Sequence, residues 1–277
     1  MHSEPRTVAL VGPGRAGTAL ALALVGRGWR PVAVAGRSPE PTGRVADRLG
    51  CPAVPVGAAG RGADLVLVTT PDAALDAVAL ALAPGLEPGA LVVHCSGARG
   101  LEVFDRLASA RPDVAVGALH PLQTFATPDP APLVDAWAAV AGPAAVTELA
   151  LDLGLRPFVV ADDRRAGYHA AAAVASNHLV ALLGQVARLA DAAGVPADAF
   201  WPLVRTTLDN AVAHGPAVAL TGPVARGDLD TVAAHLAAVP AAEYDAYRSL
   251  ARAALVLTGR DDPALRDLLD VPGEVVA

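Results

Sequence analysis

The chain has 277 residues, enough for one large or two small domains, and 53% of them are apolar, so a core is readily buried. A formal net charge of −7 argues against a binder of nucleic-acid backbones, and all 21 basic residues are arginine, which excludes every chemistry that needs a lysine: a Schiff base, a Walker lysine or a lysine general acid. The two cysteines, Cys51 and Cys95, are too few for a disulfide framework or a four-cysteine zinc site, and no metal is expected.

Residues Thr7 to Val11, "TVALV", read as a short buried strand. "GPGRAGTALALALVGRG" follows, with Gly12, Gly14 and Gly17 spaced as G-x-G-x-x-G before an apolar helix pattern. The first glycine permits a tight turn, the second lets a pyrophosphate approach, and the third lets the helix pack against the sheet. With Pro13, Arg15 and Ala16 these residues form the expected cofactor turn, whose helix N-terminus offers free N–H groups to phosphate. A second strand, Pro31 to Gly36, ends in Gly36-Arg37-Ser38 where an NAD enzyme usually carries an acid. An arginine and a hydroxyl suit a 2′-phosphate, so NADP is expected rather than NAD, although Glu40 follows closely.

"ADLVLVTTPDAALDAVALAL" reads as strand, turn and helix, with Thr69, Thr70 and Pro71 at the strand's end. "GALVVHCSGARG" is a strand running into Ser96 and Gly97, and "PDVAVGALHP" is one that ends at His120. "DAWAAVAG", "PAAVTELALDLG" and "LRPFVV" supply strand, helix and strand. Alternation of this kind implies an α/β domain with a doubly wound, mainly parallel Rossmann-type sheet, over residues 1–161. Ligands of such sheets bind beyond the carboxyl ends of the strands. The glycine turn, Thr69 to Pro71, Ser96, Gly97 and His120 all fall there.

Strand signals then stop, and residues 162–277 are expected to form an all-α domain for substrate binding and dimerisation. Its first long helix is "RRAGYHAAAAVASNHLVALLGQVARLADAAGV", on which His169, Ala173, Ser176 and Asn177 share a face at 100° per residue. A helix at "DAFWPLVRTTLDNAVAHG" comes next, then a loop at "PAVALTGPVARGDLDTVAAHL", then more helices. No apolar run reaches the ~18–20 residues that cross a bilayer, so a cytoplasmic protein without a membrane or nucleic-acid partner is expected, and the alanine-rich half suggests a homodimer.

The segments "VGPGRAG", "HCSGA", "ALHPLQTF", "YHAAAAVASNHLVAL" and "ALTGPVARGD" resemble a bacterial group of Rossmann-like proteins with a C-terminal domain of unassigned function. That group is similar to the superfamily of ketopantoate reductase, pyrroline-5-carboxylate reductase, and β-hydroxyacid and prephenate dehydrogenases. The resemblance implies an NADP-dependent oxidoreductase reducing a small keto or imino acid, ketopantoate being the first candidate. The alternative is an NADP-binding sensor or scaffold without turnover. β-Hydroxyacid dehydrogenases place a lysine four residues before an asparagine on the first long helix of the second domain. Asn177 matches that asparagine, but Ala173 stands in the lysine's place. Prephenate dehydrogenases carry a His-Pro segment and a serine on the preceding strand end, which His120 and Ser96 match. His120 is thus the expected proton donor, with Ser96 orienting it or polarising the substrate, and His169 as the rival acid. For a carboxylate substrate, Arg226 or Arg205 would supply the cation, beside Thr221 and Asn177.

Overall fold

The computed structural model describes residues 6–270. The chain forms two compact units, Met1–Ser176 and Asn177–Ala277. The first unit thus extends past the expected boundary at residue 161 and takes in the helix that follows the sheet.

In the first unit β1 (Thr7–Val11), α1 (Arg15–Gly26), β2 (Arg30–Ala35), α2 (Pro39–Leu49), β3 (Leu65–Val68), α3 (Leu75–Leu82), β4 (Leu91–His94), α4 (Asp105–Ala110) and β5 (Ala115–Pro121) alternate as anticipated. They are followed by β6 (Trp137–Ala141), α5 (Ala144–Asp152), β7 (Arg156–Val159) and α6 (Arg165–Ala173). The seven strands lie in the order β2-β1-β3-β4-β5-β6-β7, all parallel except where β6 meets β5. The chain reverses its direction of sheet growth at β1, which makes the carboxyl ends of β1 and β3 the switch point where such sheets bind ligands. Side chains of β1 and β3 alternate between two cores. Val8, Leu10, Leu65 and Leu67 pack with Leu20 and Leu24 of α1 and Leu149 of α5. Ala9, Val11, Val66 and Val68 pack with Leu75 and Leu82 of α3 and Leu107 of α4. Burying a leucine in this way stabilises by about 1.5–3 kcal/mol, which is why these strands read as continuous apolar runs.

A π-turn at Val174–His178 follows α6, and then come α7 (Leu179–Ala192) and α8 (Trp201–His214). The wider π-turn breaks the 100° step, so the face drawn for His169, Ala173, Ser176 and Asn177 holds only through Ala173. The segment expected as a loop is helical instead: α9 (Pro216–Ala219), α10 (Pro223–Arg226) and α11 (Leu229–Ala238). Its prolines sit at helix starts, where their missing N–H costs nothing, and Asp228 caps α11 by accepting from the Thr231 N–H. With α12 (Ala241–Thr258) and α13 (Pro263–Asp270), α11 builds a small core of Val232, Leu236, Ala251, Leu255, Leu265 and Leu269. Arg188 of α7 is tied to Glu243 of α12 by an ion pair.

The helical stretch Asp162–Ala192 is long and largely apolar. Its mean hydropathy of 1.4 over 18 residues makes it long and apolar enough, by length and composition, to cross a membrane, and only 6% of that window is buried. Ser176, Asn177, His178 and Gln185 interrupt the apolar run, which is why no uninterrupted run stood out.

Candidate functional site

The register of the sheet aligns the strand ends. Val11 pairs with Ala35 and Val68, Val68 with His94, and His94 with Ala118. The residues just beyond that row are Gly12, Gly36, Thr69, Thr70, Ser96, Gly97 and His120. All lie along one edge of the first unit, as the sequence suggested. Of two surface hollows, one is lined by Arg6, Arg30, Asp64 and Glu87 at the amino ends of β1, β2 and β3, and the other by Gly142, Pro143, Val160 and Asp162 beyond the carboxyl ends of β6 and β7.

The glycine turn has the form a dinucleotide needs. Gly12 has φ +94°, a conformation side chains resist, and a Cβ there would come within 2.8 Å of the Thr69–Thr70 backbone. A Cβ on Gly17 would collide with Thr69 Oγ1, so only glycine lets α1 lie against β3. A Cβ on Gly14 would meet nothing within 4 Å: that face of the turn is open. No acidic residue lies in the first turn of α1. Nearby, Thr70 Oγ1 is buried without a hydrogen-bond partner among the described residues. An open phosphate-sized approach, an uncapped helix N-terminus and an orphaned hydroxyl fit a nicotinamide dinucleotide. Pro13 packs on Gly36, Ala16 is half-buried, and exposed Arg15 donates to the Ala126 carbonyl at 3.2 Å.

At the end of β2, Arg37 and Ser38 are exposed, and Arg37 has no ion-pair partner among the described residues. Glu40, the carboxylate that threatened a 2′-phosphate, is engaged by Arg44 one turn on. Pro71 is exposed at the entrance to the turn after β3.

The turn after β4 is held by His94, a fully buried residue that the sequence reading passed over. Its Nδ1 accepts from the Ser96 N–H at 3.2 Å and its Nε2 lies 3.0 Å from the Gly100 carbonyl, so the Nε2–H tautomer satisfies both. Burial lowers its pKa to about 4. Ser96 Oγ accepts from the Ala98 and Arg99 N–H groups, which turns this hydroxyl into its own loop. Gly97 is pressed against both histidines of interest: a Cβ there would come within 2.8 Å of His120 Nε2 and of His169 Cδ2.

His120 meets a partner that the sequence reading also missed. Its Nδ1 lies 2.6 Å from the Tyr168 hydroxyl, and the two rings stand edge to face. The His169 ring centroid is 5.9 Å away, so His169 belongs with His120 in the first unit instead of on a wall of the helical domain. Burial, reinforced by the charges of His169 and Arg165 and opposed by Asp72, holds the His120 pKa at about 4. Burial pushes the Tyr168 hydroxyl up to about 12, although Arg165 works against it. The pair is therefore neutral at pH 7. Arg165 itself is buried at the start of α6. The only signal for Tyr168 and Arg165 in the sequence was their spacing of three, which puts them on one face of that helix.

The remaining substrate candidates lie in the second unit. Asn177, Thr221 and Arg205 are exposed, and Arg226 is 65% exposed, 3.9 Å from Asp228. Arg226 and Arg205 are thus solvated cations, not buried anchors.

The chain matches a Rossmann-like domain over residues 2–121 and the domain described as DUF2520, a domain of unknown function, over 134–254. No curated protein matches it. Among solved structures it is similar to one described as an NADP oxidoreductase from Bacteroides fragilis, at 24% identity over 91% of this chain and 99% of that one, with a TM-score of 0.80. It is also similar to imine reductases from Aspergillus terreus, in complex with NADPH4 and a dibenzazepine, and from Myxococcus stipitatus, in complex with NADP+. These stand at 20% and 19% identity, cover 96% of this chain and 100% and 99% of theirs, and both have TM-scores of 0.62. At such identities the likeness establishes the shared fold.

Proposed function

We propose that this protein is an NADP-dependent oxidoreductase that reduces a small imino or keto acid, acting as a cytoplasmic homodimer. The Gly12–Gly17 turn would hold the pyrophosphate, Arg37 and Ser38 the 2′-phosphate, and Thr70 and Gly97 would line the approach to the nicotinamide. NADPH, when bound, supplies a hydride to carbon. The fold shared with imine reductases favours a C=N bond over a C=O bond. Nothing at the site selects ketopantoate, and Ala173 lacks the lysine that β-hydroxyacid dehydrogenases carry there. A second copy suits the exposed apolar side chains of the helical unit, Val180, Leu203, Leu208 and Val212.

The observation that carries the reading is the His120–Tyr168 pair, 2.6 Å apart at the ligand-binding edge of the sheet. His120, with its pKa at about 4, is not the imidazolium donor expected from the sequence. Its Nδ1 is engaged by Tyr168 and its Nε2 faces Gly97, so the group left to meet a substrate is the Tyr168 hydroxyl. In the Nδ1–H tautomer His120 donates to the phenol oxygen. This frees the phenolic O–H to donate to substrate oxygen or nitrogen, and it stabilises the phenolate left behind.

The test is NADPH oxidation against a panel of cyclic imines, imino acids and 2-keto acids. Turnover with any of them supports the reading. Tight NADPH binding without oxidation across the whole panel supports the sensor or scaffold alternative.

A further inference from the structure

Two arginines stand side by side at the start of α6, and their fates differ. Arg164 is 81% exposed, the ordinary outcome for an arginine. Arg165 heads the largest fully buried side chains of the described residues. Its Nε donates to Asp162 Oδ1 at 2.9 Å, but that carboxylate is itself 71% exposed. Both Nη atoms are buried and have no hydrogen-bond partner among the described residues.

A guanidinium cannot give up its proton, so burying it with four N–H donors unanswered is costly unless something in the working protein answers them. The neighbours on which its charge acts do not: His94, His120 and Tyr168 are neutral, and the hydrogen bonds of His94 and of the His120–Tyr168 pair are made with other partners. The free end of the fork is the one that suits a planar oxyanion, since Nε is committed to Asp162 while Nη1 and Nη2 can take two oxygens together.

We infer that Arg165 is the anchor for a carboxylate on the reacting molecule, held next to the His120–Tyr168 pair. The inference rests on the reductase reading and narrows it. The substrate is an acid whose carboxylate neighbours the C=N or C=O bond, and the anchoring cation is Arg165 instead of Arg226 or Arg205. Both Nη atoms are covered in the free chain, so the anion must displace what covers them, and the site is completed on binding.

The test is calorimetric titration of oxamate, a non-reducible 2-carboxy amide, with and without NADP. Inorganic phosphate and the uncharged acetamide serve as comparison probes. Oxamate should bind the wild type and acetamide should not. Arg165→Met should weaken oxamate by ~10- to 150-fold, the worth of a charge-assisted pair, and Arg164→Met should leave it unchanged. Arg165→Met should also melt no lower than wild type, because exchanging an unanswered buried charge for an apolar chain of similar volume removes a cost. Should that variant fail to fold, Arg165→Lys decides: it keeps the charge, loses the fork, and should still lose most of the affinity. The inference is overturned if wild type binds no oxamate, if either Arg165 variant binds it as wild type does, or if phosphate binds as tightly as oxamate. NADP binding without oxamate binding would defeat the anchor alone, whereas no NADP binding would defeat the reductase reading.

Discussion

Replacing Tyr168 by phenylalanine removes one oxygen and leaves the ring to pack against Phe158 and His120. If the phenol is the proton donor, kcat should fall by ~10²–10⁴-fold while NADPH affinity is kept, because a general acid acts only in the transition state. His120→Asn should cost less, ~10- to 150-fold, since it withdraws only the hydrogen bond that supports the phenolate. The two candidate donors also differ in their pH profiles. With a pKa at about 4, His120 is an imidazolium in only ~1 molecule in 1000 at pH 7 and ~1 in 10 at pH 5. Donation from that imidazolium would raise the rate ~100-fold between those pH values. Tyr168, pushed to about 12, stays protonated throughout, so its donation predicts a flat rate from pH 5.5 to 9. The assay is the initial rate of NADPH oxidation with a 2-keto acid, whose carbonyl does not titrate in this range, for wild type, both variants and His169→Asn as the control. A rate that climbs steeply toward pH 5, or a Tyr168→Phe protein that turns over normally, would refute the reasoning.

Three further outcomes are expected. Gly14→Val should abolish NADP binding in calorimetry yet leave the melting temperature near that of wild type, because a side chain there enters the phosphate approach and its Cβ meets nothing within 4 Å. Arg37→Asp should weaken NADPH by ~10- to 150-fold and leave NADH nearly unchanged; equal affinities for the two cofactors in wild type would defeat the assignment of Arg37. The third concerns His94, fully buried with its pKa lowered from 6.5 to about 4. Between those values the unfolded chain binds more protons than the folded one, so the stability His94 contributes is complete above pH 6.5 and is lost as the pH falls toward 4. The loss between pH 7 and pH 5 comes to about 2 kcal/mol. His94→Gln keeps a donor for the Gly100 carbonyl and cannot titrate, so urea unfolding should show a shallower acid dependence by about that amount; identical slopes would mean the ring is not buried as a neutral base.

The sheet was legible because strands covered on both faces leave unbroken apolar runs, and because polar residues begin where β1, β3, β4 and β5 end. Gly12, Thr69, Ser96 and His120 are therefore marked as one edge by the sequence alone. The polar partners along that edge were not legible. Tyr168 and Arg165 lie in a helix whose alanines resemble those of the helical half, and only the return of α6 to the sheet brings them to His120. The helices from Pro216 to Ala238 were hidden by prolines and glycines that mark turns in one context and helix starts in another.

The chemistry of the site follows from what that return buries. A chain without lysine has to find its proton donor elsewhere, and here burial has moved a histidine down to about 4 and a tyrosine up to about 12. Neither is charged at pH 7, so the pair neither attracts an anion nor repels a cation there. Arg165 beside it is a buried charge whose Nη atoms have no partner among the described residues, and it would repel a protonated imine. An imino acid resolves the conflict within a single molecule: its carboxylate answers Arg165, and its C=N bond, whether it arrives protonated or takes the proton of Tyr168, lies against a neutral pair. A simple amine-derived imine lacks the first half of that match and a keto acid the second. The preference to expect is therefore imino acid over keto acid over uncharged imine, and reversal of that order in kcat/KM would show that the charge at Arg165 does not choose the substrate.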